Sequence, residues 1–126
     1  MANSYVVALS CVVASSLLHT SCCGGGGECT ATGTYKNANV TSNGSGSKAR
    51  AEAEEGFCMI YCADHDSVVD AAYRKWKATP EGSASKTDRW FDVSSEPSLK
   101  LPYAVCQDAC NKDRAAGKIQ IRTVCK

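Results

Sequence analysis

The stretch Phe57-Cys58-Met59-Ile60-Tyr61-Cys62 decides the fold of this chain, together with its echo Cys106-Gln107-Asp108-Ala109-Cys110. Both contain Cys-x-x-x-Cys. Residues four apart on a helix lie on one face, so each pair presents two sulfurs one turn apart. Two such helices packed antiparallel can be cross-linked twice, Cys58 to Cys110 and Cys62 to Cys106. The spacing therefore predicts a disulfide-linked helical pair around which the rest of the chain is arranged.

The composition bounds the chain to one small domain. Its 126 residues carry 14 Lys+Arg and 13 Asp+Glu, a formal net charge of +1. A net charge this close to zero does not indicate a basic surface for binding nucleic acid or an anionic membrane. Large apolar residues are scarce, with only two Phe, two Trp and five Tyr among the aromatics. A core this thin is marginal by itself, and small secreted domains compensate with disulfides. The nine cysteines indicate such a framework.

Residues 1–16 have the form of a secretory signal peptide. An apolar run over residues 5–13 is followed by Ala14-Ser15-Ser16, although no positive charge precedes it. The run is too short for a membrane span. Cleavage is expected between residues 14 and 22. A cut after Ala14 or Ser16 is favoured, because it discards Cys11 and leaves an even set of eight cysteines. A cut after Cys22 leaves seven and is the alternative.

Residues 17–47 predict a glycine-rich cysteine knot followed by an exposed loop. The stretch from Cys22 to Cys29 contains four consecutive glycines, and residues 30–47 are rich in Thr, Asn, Ser and Gly. At most a short strand is expected there, near Tyr35. The loop contains two N-glycosylation sequons, which predict a glycoprotein modified at Asn39 and Asn43.

Residues 48–126 predict the disulfide-linked core. A first helix is expected over residues 48–77, with a buried stripe that includes His65 and has Val68 beside it. Pro80 and Gly82 end that helix, a polar loop follows, and residues 89–93 predict a short strand or an ordered turn. A second helix is expected over residues 102–116, ended by Gly117. The alternating residues 118–125 predict a strand.

The cysteines are predicted to form disulfides, although eight of them allow 105 connectivities. The favoured pairs are Cys58–Cys110 and Cys62–Cys106. The other end of the molecule would be closed by Cys22, Cys23, Cys29 and Cys125. Zinc is the competing use of four cysteines, but the secreted context and the three-residue gaps disfavour it. No metal and no cofactor is expected.

One stretch suggests catalysis. Cys62-Ala63-Asp64-His65-Asp66 resembles the active-site helix of secreted phospholipases A2, and the glycine run after Cys23 resembles the calcium loop of that family. The resemblance implies a calcium-dependent lipid hydrolase in which His65 is the general base, Asp66 a calcium ligand and Asp113 the aspartate that orients His65. In the predicted helix pairing, however, Asp113 faces a point about ten residues, or roughly 15 Å, along the helix from His65. This enzyme is therefore an alternative prediction.

A second alternative rests on cysteine spacing alone. The gaps between Cys29, Cys58, Cys62 and Cys106 are similar to those of insect odorant-binding proteins, which implies a carrier of small ligands. The closing cysteines, Cys110 and Cys125, do not follow that spacing.

The sequence thus predicts an α+β fold, a small disulfide-rich secreted domain of two antiparallel cross-linked helices and a short sheet. The predicted function is non-enzymatic recognition of an extracellular protein of another cell or organism, as an effector, toxin, defence or virulence protein. Trp90 and Phe91 are the predicted partner contacts, because exposed aromatic residues are common anchors. The alternative for both side chains is that they cover the core.

Overall fold

The computed structural model describes residues 27–126. The predicted signal peptide, Cys22 and Cys23 lie outside the described residues. The described part contains a three-stranded sheet, five α-helices and a single turn of 3₁₀ helix at Gly46–Lys48. In chain order the elements are β1 (Glu28–Tyr35), β2 (Ala38–Ser45), α1 (Ala49–Asp64), α2 (Ser67–Lys77), α3 (Pro80–Ala84), α4 (Arg89–Ser95), α5 (Pro97–Ala115) and β3 (Ile121–Cys125).

The strands form an antiparallel sheet in the order β2-β1-β3. Lys36 and Asn37 join β1 to β2 with φ of 47° and 66°. This left-handed conformation at both positions is that of a tight two-residue hairpin turn. The prediction of a loop over residues 30–47 is therefore wrong. Inward positions of the hairpin include Ala31 and Ser42. Because these side chains are small, the period-two pattern has little hydrophobic contrast.

The predicted single helix over residues 48–77 is two helices, because the chain turns at His65 and Asp66. The backbone N–H groups of both residues donate to the Tyr61 carbonyl, at 2.8 and 3.1 Å, and end α1. The Asp66 carboxylate accepts from the N–H groups of Val68 and Val69 and so caps α2. The turn also places His65 and Val68 in solvent, where an unbroken helix would have buried them.

Two short helices lie on either side of residues 85–88, which form part of the predicted polar loop, and the second helix replaces the predicted strand or turn. Thr79 Oγ1 accepts from the Gly82 N–H at 3.1 Å and caps α3. Asp88 Oδ1 accepts from the Phe91 N–H at 2.8 Å and caps α4. The prediction of a strand or turn at residues 89–93 is wrong, because this cap favours a helix over the β-prone aromatic pair that follows it.

The second long helix, α5, begins at Pro97, before its predicted start at Pro102. Proline is tolerated in the first turn because its missing N–H has no partner there. Gly117 follows the carboxy-terminal end with φ of 74°, as predicted. The strand predicted over residues 118–125 is present as the shorter β3, which begins at Ile121.

Three disulfides join described residues. Cys58–Cys110 and Cys62–Cys106 connect α1 to α5, each with Cα atoms 5.7 Å apart. Cys29–Cys125 joins β1 to β3 at directly opposed positions of the sheet. The α+β fold with two cross-linked helices and a small sheet is thus confirmed.

The core lies between the inner face of the sheet and the helices. Phe57 and Leu99 are the largest fully buried side chains. α1 continues through Gly56, although glycine is a poor helix former. A Cβ atom on Gly56 would lie 2.2 Å from Ser42 Oγ. Glycine is therefore the residue that allows α1 to lie directly against β2.

Candidate functional site

A groove between α2 and α5 carries three strongly exposed aliphatic side chains. Val68, Leu101 and Val105 line it and are 65%, 71% and 61% exposed. Its volume is about 420 Å³, and its other lining residues are Tyr35, Lys36, Tyr61, Asp66, Pro102, Cys106 and Ala109. We call it the aliphatic groove. Single exposed apolar residues are ordinary on protein surfaces, whereas several in one depression mark a contact site.

The fold fixes both walls of the aliphatic groove. The Asp66 cap sets the first turn of α2 and with it the position of Val68. Leu101 and Val105 are four residues apart on α5, so their side chains lie one turn apart on the same face. Cys106, the next residue, is bonded to α1, which holds the α5 wall in place covalently.

Two tyrosines lie at the Ala109 end of the groove. Tyr35 Oη donates to Asp113 Oδ2 at 2.5 Å, and its ring packs edge-on against Tyr61 with centroids 4.7 Å apart. The pKa of Tyr35 is raised to about 12, first by burial and then by the hydrogen bond to Asp113 and the charge of Asp113. Burial also raises the pKa of Tyr61, as does the charge of Asp66. Both phenols are therefore neutral polar groups at physiological pH.

The three residues of the phospholipase resemblance, His65, Asp66 and Asp113, each contact a different group. His65 is exposed, and its ring stacks on Tyr61 with centroids 6.3 Å apart. The Asp66 carboxylate caps α2, and the Asp113 carboxylate accepts from Tyr35. Within residues 27–126 no three His, Cys, Asp or Glu side chains are grouped to hold a metal ion. The lipid-hydrolase alternative stays a prediction, to be tested by calcium-dependent hydrolysis and its loss in His65→Gln.

A second groove, of about 590 Å³, lies beside Trp90 and is called the Trp90 groove. Trp90 is 46% exposed and Phe91 is 51% exposed, so neither aromatic is a core residue. Three carboxylates line this groove with the indole, those of Glu28, Glu52 and Glu55. The role of Trp90 and Phe91 in partner binding stays a prediction.

The residues of the aliphatic groove were not identified from the sequence. The sequence pattern places Val68 beside the buried stripe and assigns no role to Leu101 or Val105. A signal was present on α5, because Leu101, Val105 and Ala109 form an apolar row separate from the one that contains Tyr103 and Cys110. Since only one row of α5 meets α1, the second row is left to pack against another helix or to face solvent.

In the part of the chain that the structure describes, no helix is both long and apolar enough to cross a membrane. Compared with known protein families, with curated proteins and with solved structures, the chain matches none of them.

Proposed function

We propose that the protein acts outside the cell as a binding protein and that its aliphatic groove holds an apolar segment of an extracellular partner protein. The observation that supports this proposal is the exposure of Val68 on α2 and of Leu101 and Val105 on α5, along one groove whose α5 wall is disulfide-linked to α1. Burial of apolar surface is the main favourable term in protein association. Each such side chain contributes about 1.5–3 kcal/mol when it is fully removed from water.

The extracellular setting is supported by the disulfides. Disulfides form and persist in oxidising compartments, and three of them join described residues of this chain. The signal-peptide pattern of residues 1–16 agrees with this setting, as do the two sequons. A small cross-linked scaffold with a contact groove suits an effector, toxin or defence protein that has to persist outside the cell.

The shape of the groove favours a narrow protein segment as its occupant. Leu101 and Ala109 lie on one face of α5 and are separated by about 12 Å, at 1.5 Å per residue. This length matches about two turns of a partner helix that places its apolar face in the groove. Lys36 and Asp66 line the groove with opposite charges, which adds specificity for a partner with complementary charges.

The test compares a groove variant with a matched control. The groove variant carries Val68→Asn, Leu101→Asn and Val105→Asn, and the control is Val124→Asn, which alters a side chain that is 53% exposed and lies outside the groove. Each secreted protein is cross-linked to proteins of the extracellular fluid, and the products are quantified by mass spectrometry.

We expect at least one partner to be captured equally by the unmodified protein and the control, and at least tenfold less by the groove variant. Circular dichroism checks that all three proteins are folded. Equal capture by the folded groove variant would overturn the proposal.

A small-ligand carrier is the second candidate. The apolar lining and the volume of about 420 Å³ fall within the range of ligand pockets, 300–1,000 Å³. Such pockets usually bury most of their ligand, whereas the aliphatic walls here are more than half exposed. The same variants separate the two functions: saturable one-to-one binding of a fatty acid, lost in the groove variant, would favour the carrier.

A further inference from the structure

We infer that Asn39 and Asn43 carry N-linked oligosaccharides that cover the solvent face of the sheet. Each asparagine begins an Asn-x-Ser/Thr sequon, with Val40 or Gly44 in the middle position. The sequons alone make Asn39 and Asn43 candidates for glycosylation. The structure shows in addition where their two side chains lie. This inference concerns a modification and is independent of what the aliphatic groove binds.

Both asparagines lie on the outer face of β2. The strand buries Val40 and Ser42 and exposes Asn39, Thr41 and Asn43. This alternation follows from strand geometry, in which residues i, i+2 and i+4 share one face. The two acceptor positions are therefore separated by about 13 Å and face the same side of the sheet.

Cross-strand hydrogen bonds orient the two amides. Thr34 Oγ1 donates to Asn39 Oδ1 at 2.8 Å, and Thr30 Oγ1 donates to Asn43 Oδ1 at 2.9 Å. Each bond joins residues that are directly opposed in the β1–β2 register. Both bonds use the amide oxygen and leave the nitrogen Nδ2, the atom that carries the sugar, out of the contact. A glycan on either side chain is thus compatible with the folded sheet.

The modification uses a lipid-linked oligosaccharide diphosphate as donor. The asparagine Nδ2 forms a bond to the anomeric carbon of the first sugar. The bond from that carbon to the diphosphate oxygen breaks, and its electron pair leaves with the lipid diphosphate. One Nδ2 proton passes to a base of the transferase. No oxidant or reductant takes part.

Glycans at these positions would cover one side of the molecule only. α1 packs on the inner face of the sheet, and the aliphatic groove lies between α2 and α5. The groove therefore stays open when the outer face is covered.

β2 is an edge strand, and a bulky glycan on such a strand hinders edge-to-edge pairing with another chain. Asn43 also lines the Trp90 groove, so its glycan would stand at the rim of that groove.

The test uses the full chain secreted from eukaryotic cells. Its intact mass is measured before and after treatment with an amidase that releases N-linked glycans and converts the asparagine to aspartate. We expect two glycans on the unmodified protein, assigned to Asn39 and Asn43 by peptide mapping. Thr41→Ala should remove the first and Ser45→Ala the second, whereas Thr41→Ser should keep both, because serine preserves the sequon.

Thr41→Ser is the matched control, since it changes the same exposed position as Thr41→Ala. An unchanged mass after amidase treatment of the secreted protein would overturn the inference. A single glycan would overturn it for the unmodified asparagine. Loss of both glycans in Thr41→Ala alone would also contradict it, because each sequon should act independently.

Discussion

At the scale of single residues, Tyr35 connects the sheet to the second long helix. Its hydroxyl donates to Asp113 on α5, and its ring lies edge-on against Tyr61 on α1. A tyrosine that is buried beside a carboxylate holds its proton more tightly than it does in the unfolded chain, because the phenolate would be both desolvated and repelled. The pKa of Tyr35 is accordingly raised from 10.0 to about 12.

This raised pKa predicts a loss of stability in alkaline solution. The phenol is neutral when protonated, so its stabilising contribution is complete below pH 10 and is lost as the pH rises from about 10 to about 12. We expect the free energy of unfolding, measured by urea denaturation, to fall over this range. In Tyr35→Phe the fall in the free energy of unfolding should be smaller. Part of the fall should remain, because the pKa values of Tyr61 and Tyr103 are also raised.

Tyr35→Phe should also be less stable at neutral pH, by about 1–2 kcal/mol, because the Asp113 carboxylate loses a hydrogen-bond donor. Asp113→Asn is the control variant, since it keeps an acceptor and removes the charge. Tyrosinate absorbance should then show a pKa for Tyr35 that is lower than in the unmodified protein but still raised by burial. An equal alkaline loss in Tyr35→Phe and the unmodified protein would contradict this account.

At the scale of secondary-structure elements, the packing of α1 on β2 depends on a glycine. A Cβ atom on Gly56 would lie 2.2 Å from Ser42 Oγ but 3.5 Å from Ser42 Cβ. Overpacking of this kind costs typically about 1–3 kcal/mol. In the absence of a clash, alanine in place of glycine within a helix gains about 1 kcal/mol. The serine hydroxyl therefore decides which of the two effects is larger.

We predict that Gly56→Ala destabilises the unmodified protein but stabilises the Ser42→Ala variant by up to about 1 kcal/mol. In the Ser42→Ala variant there is no Oγ atom. The new methyl group at position 56 then lies 3.5 Å from the Cβ atom of residue 42, which is an ordinary contact distance. The four proteins of this double-mutant cycle are compared by chemical denaturation. If Gly56→Ala has the same effect with and without the hydroxyl, the contact does not limit the approach of α1 to β2.

The long helices and their pairing could be predicted from the sequence, whereas the hairpin and the helix break could not. Two cysteines one turn apart on each of two helices can be bonded twice in an antiparallel pair, so helix geometry favours the observed pairing among the connectivities that eight cysteines allow. The hairpin has no such signal, because its inward positions include Ala31 and Ser42. The helical spacing of apolar residues continues across Asp66, so it gives no sign that one helix ends and another begins there. An aspartate at this position is also compatible with an exposed site in the middle of a helix.

The same break explains why the aliphatic groove was missed. An unbroken helix would place Val68 beside the buried residues of its stripe, whereas the turn at His65 and Asp66 starts a new helix and exposes it. Whether Val68 is buried or exposed therefore depends on a single backbone turn, which the spacing of apolar residues does not predict. Its neighbours in the groove, on α5, come from a distant part of the chain.

At the scale of the whole molecule, the disulfides within residues 27–126 differ in how much of the chain they constrain. Cys62–Cys106 is nested within Cys58–Cys110 and lies one helical turn from it. Once the outer bond exists, the inner one closes a further ring of only about ten residues, worth roughly 3 kcal/mol in the chain-entropy model. Cys29–Cys125 closes a further ring of about 46 residues, worth roughly 4 kcal/mol in the same model.

We therefore predict that replacing Cys29 and Cys125 by alanine destabilises the protein by about 1 kcal/mol more than replacing Cys62 and Cys106. Each bond has one buried and one half-buried cysteine, so the two variants lose comparable packing. The measurement is denaturation of both variants without reductant, with free thiols counted to confirm that the remaining bonds are intact. A larger loss from Cys62 and Cys106 would mean that helix pairing, rather than closure of the chain between β1 and β3, dominates the stability of this fold.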